Sequence, residues 1–250
     1  MRATEFIVEA PLPPDWDPSA MQQRTTSFKS RLQYALDRAK KIGTGSSRVA
    51  TVIDYEGRPT VLKIAKNIKG LAQNNVEADI LSDDYASQLN ILIPIIDYDE
   101  QNREPSWIHT EMATKANEQQ LCDLMRCKSL SELKTFAKTI AGQIRGRTAQ
   151  QYIDSLDSAD FSQDDIDTFT EYANKLADLA NSFDIDLNDL DRPANWGIYQ
   201  GRPVIVDVGG TSAVIQQYYK KKQKGMREAS VSGPGASGRW MGKEFYRHLV

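Results

Sequence analysis

Asp189, Asn195 and Asp207 are the first residues in this chain whose types and spacing suggest chemistry. They lie in the stretch DLDRPANWGIYQGRPVIVDVGG, from Asp189 to Gly210. Two acids and an amide gathered at the end of a β-run are costly to desolvate unless they hold something positive. Asn195 and Asp207 are twelve residues apart around the turn signal YQGRP. That spacing returns two oxygen donors to one end of a hairpin. Both are hard-oxygen ligands suited to Mg²⁺ carrying a nucleotide phosphate. Asp189, on the preceding loop, is placed to accept a proton from an incoming hydroxyl. Taken singly, each has a plain structural explanation, because Asx caps and Asp-Gly turns are common. Their joint order is what carries information.

A phosphate needs cations and amides, and the first half of the chain offers both. IGTGSSRVATV places glycines at 43 and 45, where backbone can approach a ligand closely and amides can point at phosphate oxygens. No Gly-Lys-Ser/Thr follows, so this is not a Walker loop. In TVLKIAKN, Lys63 lies between Leu62 and Ile64 in a β-run, and strand alternation turns it to the opposite face from both. Glu77 follows fourteen residues later on a helix. A Lys63–Glu77 pair would fix the ammonium where it meets α- and β-phosphate oxygens. PSWIHTEMAT then leaves this region, and the backbone of Glu111 and Ala113 would face an adenine edge.

The elements that must position these groups are readable from periodicity. EAPLPPDWDPSA is proline-rich and reads as an extended arm. SFKSRLQYALDRAKKI reads as a short helix with Phe28, Leu32, Ala35, Leu36 and Ala39 on its apolar face. SRVATVIDYEGRPTVLKIA is a hairpin around YEGRP. A helix over 74–83, the strand LNILIPIIDYD and the strand SWIHTEMAT complete a β-β-α-β-β unit. From 118 to 183 the pattern is helical. SELKTFAKTIAGQIRG carries Leu133, Phe136, Ile140 and Ile144, and SQDDIDTFTEYANKLADLANSF opens on the N-cap Ser162. The second helix shows Ile166, Phe169, Ala173, Leu176, Leu179 and Ala180 on one face. The expected fold class is α+β. It comprises an N-terminal arm and helix over 1–41, a small antiparallel sheet lobe with one helix over 42–116, a helical lobe over 117–219, and a basic Gly/Ser-rich tail over 220–250.

Composition narrows the partners. Among 250 residues the hydrophobic share of 40% and the charged share of 26% are those of a globular chain, and the net charge is −3. From Lys220 onward eight Lys/Arg face two Glu, about +6, which leaves the rest of the chain near −9. Nucleic acid bound through that tail is the weaker reading of it, since few aromatics interleave the lysines. Cys122 and Cys127, far from His109 and His248, suit neither zinc nor a disulfide framework. Their expected state is two reduced thiols. No signal peptide and no bilayer-length apolar run is visible, so the expected location is intracellular with no membrane partner.

The order of glycine turn, strand lysine, helix glutamate, crossover strand, helical block, Asp…Asn loop and Asp-x-Gly resembles the protein-kinase-like superfamily. GTGSSR, VLKIA, Glu77, TEMA, DLDRPANWG and VDVGG carry the resemblance, over roughly residues 40–210. It is similar above all to small kinase-like proteins of bacteriophages. The resemblance implies a bilobal fold and an ATP·Mg²⁺-dependent phosphotransferase in the cytoplasm, that of the host cell for a phage product, or in a virion. Gly43, Gly45, Ser46 and Arg48 would cover the phosphates, with Arg48 at the place of the usual third glycine. Lys63 held by Glu77 would bind α/β-phosphates, Asn195 and Asp207 would hold Mg²⁺, and Asp189 would be the base.

Three departures stand beside it. LNDLDRPAN lacks His-Arg-Asp, and the position five before Asn195 is Leu190, so Asp189 and Asp191, six and four before it, are both candidates for the base. The third glycine is absent, and no Ala-Pro-Glu follows DVGG. The expected acceptor is Ser/Thr of a protein, or of the chain's own tail at Ser230, Ser232 or Ser237. The alternatives are a pseudokinase that serves as a nucleotide-binding or purely structural module, and a small-molecule kinase of the aminoglycoside type.

Overall fold

Tyr55-Glu56-Gly57-Arg58 and Tyr199-Gln200-Gly201-Arg202 are the same turn built twice. In each, both central residues have positive φ: 54° and 77° in the first, 50° and 79° in the second. These are the two-residue hairpin turns whose twist matches that of the flanking strands. Because the loop has two residues, register follows without freedom: Tyr55 pairs with Arg58, and Tyr199 with Arg202. The computed structural model that shows this describes residues 27–220, except 101, 145, 147 and 156–160. The proline-rich arm and the basic tail, with its three serines, lie outside the described residues.

The first hairpin is the centre of a five-stranded antiparallel sheet. Its strands are β1 (Lys40–Thr44), β2 (Arg48–Tyr55), β3 (Arg58–Ala65), β4 (Ile95–Tyr98) and β5 (Trp107–Glu111), in spatial order β1-β2-β3-β5-β4. The second hairpin, β7 (Trp196–Tyr199) and β8 (Arg202–Ile205), forms a three-stranded sheet with β6 (Thr114–Lys115). SWIHTEMAT is therefore two strands in two sheets, interrupted at Met112 and Ala113, and it crosses between the lobes. LNILIPIIDYD, expected as one strand, contributes only 95–98 to the sheet. Its first half instead bonds to β8, with the Ile93 amide donating to the Ile205 carbonyl and the Ile205 amide to the Ile91 carbonyl.

Helix α1 (Phe28–Leu36) covers the outer face of the large sheet, where Tyr34 and Ala35 pack with Ile53, Leu62, Ile64 and Trp107. Of the stripe expected from Phe28, Leu32, Ala35, Leu36 and Ala39, Ala35 is buried and Ala39 packs against the same cluster, whereas Leu36 is exposed. Helix α2 (Ile68–Leu81) lies on the inner face and begins six residues before the expected start at Asn74. Its cap is Asn67, whose side chain accepts the Gly70 amide. The missing apolar periodicity has a cause: α2 buries Gln73, Asn74 and Glu77. Gly70 lets the helix approach the sheet, since a Cβ there would fall 2.3 Å from the Ser47 carbonyl. A short helix, α3 (Asp84–Gln88), follows it.

The helical lobe contains α4 (Glu118–Met125), α5 (Leu130–Ile140), α6 (Ala149–Ile153) and α7 (Gln163–Phe183). Leu133, Phe136, Phe169, Ala173, Leu176 and Leu179 meet in its core, together with the buried free thiols of Cys122 and Cys127. Ser162 caps α7 as expected. α5 stops at Ile140 instead of running through Ile144, because Gly142 takes φ 70° just past its end. After β8 come the short helix α8 (Ser212–Ile215) and a single wider turn over Gln216–Lys220, where the described residues end. The α+β, two-lobed arrangement is thus the one observed. Among the described residues no helix is long and apolar enough to cross a membrane.

Candidate active site

Register carries side chains into the cleft. β2 pairs with β3 so that Ala50 faces Lys63 and Arg48 faces Ala65, which puts Arg48 and Lys63 on the same face of the hairpin as diagonal neighbours. That is the face opposite Leu62 and Ile64. Behind it lies α2, and Lys63 Nζ donates to Glu77 Oε1 and to the Val206 carbonyl. Glu77 is fully buried, a carboxylate supported by two cations, because Arg48 Nη1 donates to its other oxygen.

A cavity of about 870 Å³ opens in front of these groups. The glycine turn (Gly43, Gly45, Ser46) with Arg48 and Lys63 forms its sheet-lobe wall. Glu111 and Ala113 line it at the crossover, and Asp189, Asn195 and Asp207 line it from the loop hairpin. Glu77 stands behind Lys63, outside the wall. Asp191 is not in the wall either; its carboxylate accepts from Lys134 of α5.

Two backbone amides at the cleft are already bonded within the chain. The Gly45 amide closes the turn by donating to the Arg48 carbonyl at 2.9 Å, so it does not face a ligand. The turn is held from outside as well: Lys66 Nζ reaches the Gly45 carbonyl at 2.9 Å, and Asn67 Nδ2 reaches the Ser46 carbonyl at 3.1 Å. At the crossover, the Glu111 amide donates to the Pro94 carbonyl and its side chain pairs with Arg58. The Glu111 N–H is therefore not free for an adenine edge. Ala113 is pressed against Gly197, where a Cβ would come within 2.6 Å of the Ala113 Cβ. Only glycine lets β7 lie this close to the crossover.

The loop is fixed by its own neighbours. Asn195 Nδ2 donates to the Asp189 carbonyl at 2.8 Å, and the Trp196 indole donates to the Leu190 carbonyl at 2.9 Å. Sequence reasoning had no role for Trp196. Its position directly after Asn195 was the available signal, since a buried indole N–H needs an acceptor. The Asp189 carboxylate is half exposed, and Arg192 Nη1 lies 3.2 Å from it. The Val206 amide donates to the Asn195 carbonyl, which brings Asn195 and Asp207 to the same end of the hairpin.

Asp207 Oδ1 accepts from Arg48 Nη2 at 2.6 Å and from the Gly209 amide at 3.3 Å. Burial would raise its carboxyl pKa, but the charges of Arg48 and Lys63 outweigh burial and hold it below the ordinary range. The group is an anion at neutral pH. With its amide nitrogen spent on Asp189, Asn195 presents its oxygen as the remaining donor. One carboxylate and one amide oxygen fit Mg²⁺ that takes its other ligands from phosphates and water. Among the described residues no cluster of three His, Cys, Asp or Glu forms an all-protein cage.

No family model and no curated protein matches the chain. Solved structures similar to it include a thermostable mutant of aminoglycoside phosphotransferase APH(4)-Ia in ternary complex with AMP-PNP and hygromycin B. That match has 16% identity and a TM-score of 0.22, over 48% of this chain and 35% of the other. APH(4)-Ia itself matches at 18% identity and a TM-score of 0.23, over 53% of this chain and 40% of the other. Each match spans less than half of the aminoglycoside phosphotransferase chain, and at these TM-scores the likeness adds nothing to the geometry above.

Proposed function

We propose that this chain is an ATP·Mg²⁺-dependent phosphotransferase. One observation carries the reading: Lys63, held from behind by Glu77, and Asp189, Asn195 and Asp207 line a single cavity from opposite lobes. Lys63 is preset by Glu77 to meet phosphate oxygens. The glycine turn roofs the same space, and Asn195 and Asp207 would hold Mg²⁺. The metal, when bound, supplies neutralisation of charge on the transferring phosphoryl oxygens.

Of the two candidate bases, the geometry favours Asp189. It lines the cavity and its backbone is held by Asn195, whereas Asp191 is turned to Lys134. In the transfer, the acceptor oxygen forms a bond to the γ-phosphorus as the bond to the β-bridging oxygen breaks. The acceptor proton passes to the Asp189 carboxylate, and ADP leaves. The first acceptor to test is a protein Ser/Thr hydroxyl, the chain itself included. A small hydroxylated molecule is the second reading. It is favoured by α8, which follows Gly210 at once and places Ile215 in the cavity wall where a longer segment would be needed to seat a peptide.

Transfer of labelled γ-phosphate to the protein, to a cell lysate and to a panel of small polyols tests the reading and sorts the acceptors. Lys63→Ala and Asp207→Asn should each abolish transfer. Undiminished transfer in both would overturn the assignment. A nucleotide-dependent rise in melting temperature without transfer to any acceptor would make the chain a nucleotide-binding module.

A further inference from the structure

We infer that Arg48 is a built-in cation of the phosphate site, so that this chain binds nucleoside triphosphate without a divalent metal and needs the metal only for transfer. The inference rests on the nucleotide reading above and gives Arg48 a role beyond that of a turn residue covering the phosphates. Arg48 is 8% exposed and opens β2 beside the glycine turn. Its guanidinium joins both lobes: Nη1 donates to Glu77 Oε2 and lies 3.4 Å from Asn74 Oδ1, and Nη2 donates to Asp207 Oδ1 at 2.6 Å. The backbone after Asp207 comes up against it, since a Cβ on Gly209 would fall 3.3 Å from Nη2.

Charge bookkeeping explains the consequence. Arg48 and Lys63 balance Glu77 and Asp207, so the cluster is neutral as it stands. A divalent cation arriving alone at Asp207 meets a carboxylate whose charge is already matched, and two positive groups lie beside it. A triphosphate meets Arg48 and Lys63 at the cavity wall, and Arg48 can exchange one of its two carboxylate partners for a phosphate oxygen. Arginine cannot lose its proton here and presents a planar fork suited to phosphate oxygens. It can therefore keep Glu77 through Nη1 while Nη2 turns from Asp207 to the nucleotide. Asp207 is thereby released, and only then is it open to the metal. The nucleotide comes first and the metal second.

Calorimetric titration of the full chain with ATP, in EDTA and then in excess Mg²⁺, tests this. The expected dissociation constants agree within about threefold, where a metal-centred site would differ by well over tenfold. Arg48→Gln should weaken metal-free binding by about tenfold or more and restore a dependence on Mg²⁺. It should also tighten Mn²⁺ binding without nucleotide, followed by the spin-resonance signal of free Mn²⁺, because Asp207 is then unopposed. Should Arg48→Gln fail to fold, Asp207→Asn gives the same information: it should leave ATP affinity in EDTA unchanged or improved. Binding of ATP by the wild type only with Mg²⁺ overturns the inference and leaves the nucleotide reading standing. No ATP binding under either condition removes both.

Discussion

On the sheet side of the cleft, Lys63, Arg48 and Glu77 are 9%, 8% and 0% exposed, and the Glu77 carboxylate bonds both cations. On the loop side, the Asp189 and Arg192 side chains are 46% and 68% exposed and stand 3.2 Å apart. The two walls hold similar charges under different dielectrics. A dry, mutually paired cluster gains rigidity, and each of its members is costly to lose. A wet pair contributes little to stability but leaves its carboxylate free to move a proton. On the proposed reading, the sheet wall holds the ligand and the loop wall acts on it.

On the wet side, Asp189→Asn should lower kcat by about 10²–10⁴ with little change in melting temperature or nucleotide affinity. A fall matched by lost folding would break the contrast between the walls. Glu77→Ala strands two buried cations and should cost about 3–5 kcal/mol of stability, measured by urea unfolding. A cost below about 1 kcal/mol would mean that the sheet wall is as wet as the loop.

His109, on β5, is buried on the opposite face of the same sheet, the face of Leu62, and reports its dryness through pH. Burial first, and then the charge of Arg58, pushes its pKa down from 6.5 to about 4. The unfolded chain takes up this proton below about pH 6.5, while the folded chain resists until about pH 4. Stability from this group is therefore complete above 6.5 and is lost as the pH falls through that window. Wild type should lose more of its urea midpoint between pH 7 and pH 5 than His109→Gln does. Equal losses would show that the ring tolerates its charge. The smallest effect is expected at Asp191→Asn. Its bond to Lys134 is partly exposed, so about 0–1 kcal/mol of stability and less than about a threefold change in rate should follow. A large loss of rate there would move the base from Asp189 to Asp191.

Local rules made much of this architecture legible. YEGRP and YQGRP specified their hairpins because positive φ at two successive residues is a demand that few sequences meet, and alternation then put Lys63 on the face away from Leu62 and Ile64. Ser162 marked the start of α7. Three features resisted the same rules. α2 hid its start because its buried face is polar, so hydrophobic spacing could not reveal it. α5 stopped early at a glycine that the apolar pattern ran past. The alternation that placed Lys63 also put Arg48 on its face, once the two-residue turn was used to count back the register, but nothing in β2 alone announced which acids it would meet.

Sequence by itself determined which residues could carry charge into a cleft, the turns that fix hairpin register, and the faces on which side chains emerge, because these depend on neighbours within a few residues. Tertiary structure alone decided the pairings. Arg48 bonds Asp207 across 159 residues of chain, Lys134 reaches Asp191 across 57, and the Glu111 amide is taken by Pro94. Such partners are chosen by where whole elements pack, and packing is set by the sum of many weak contacts that no local pattern records.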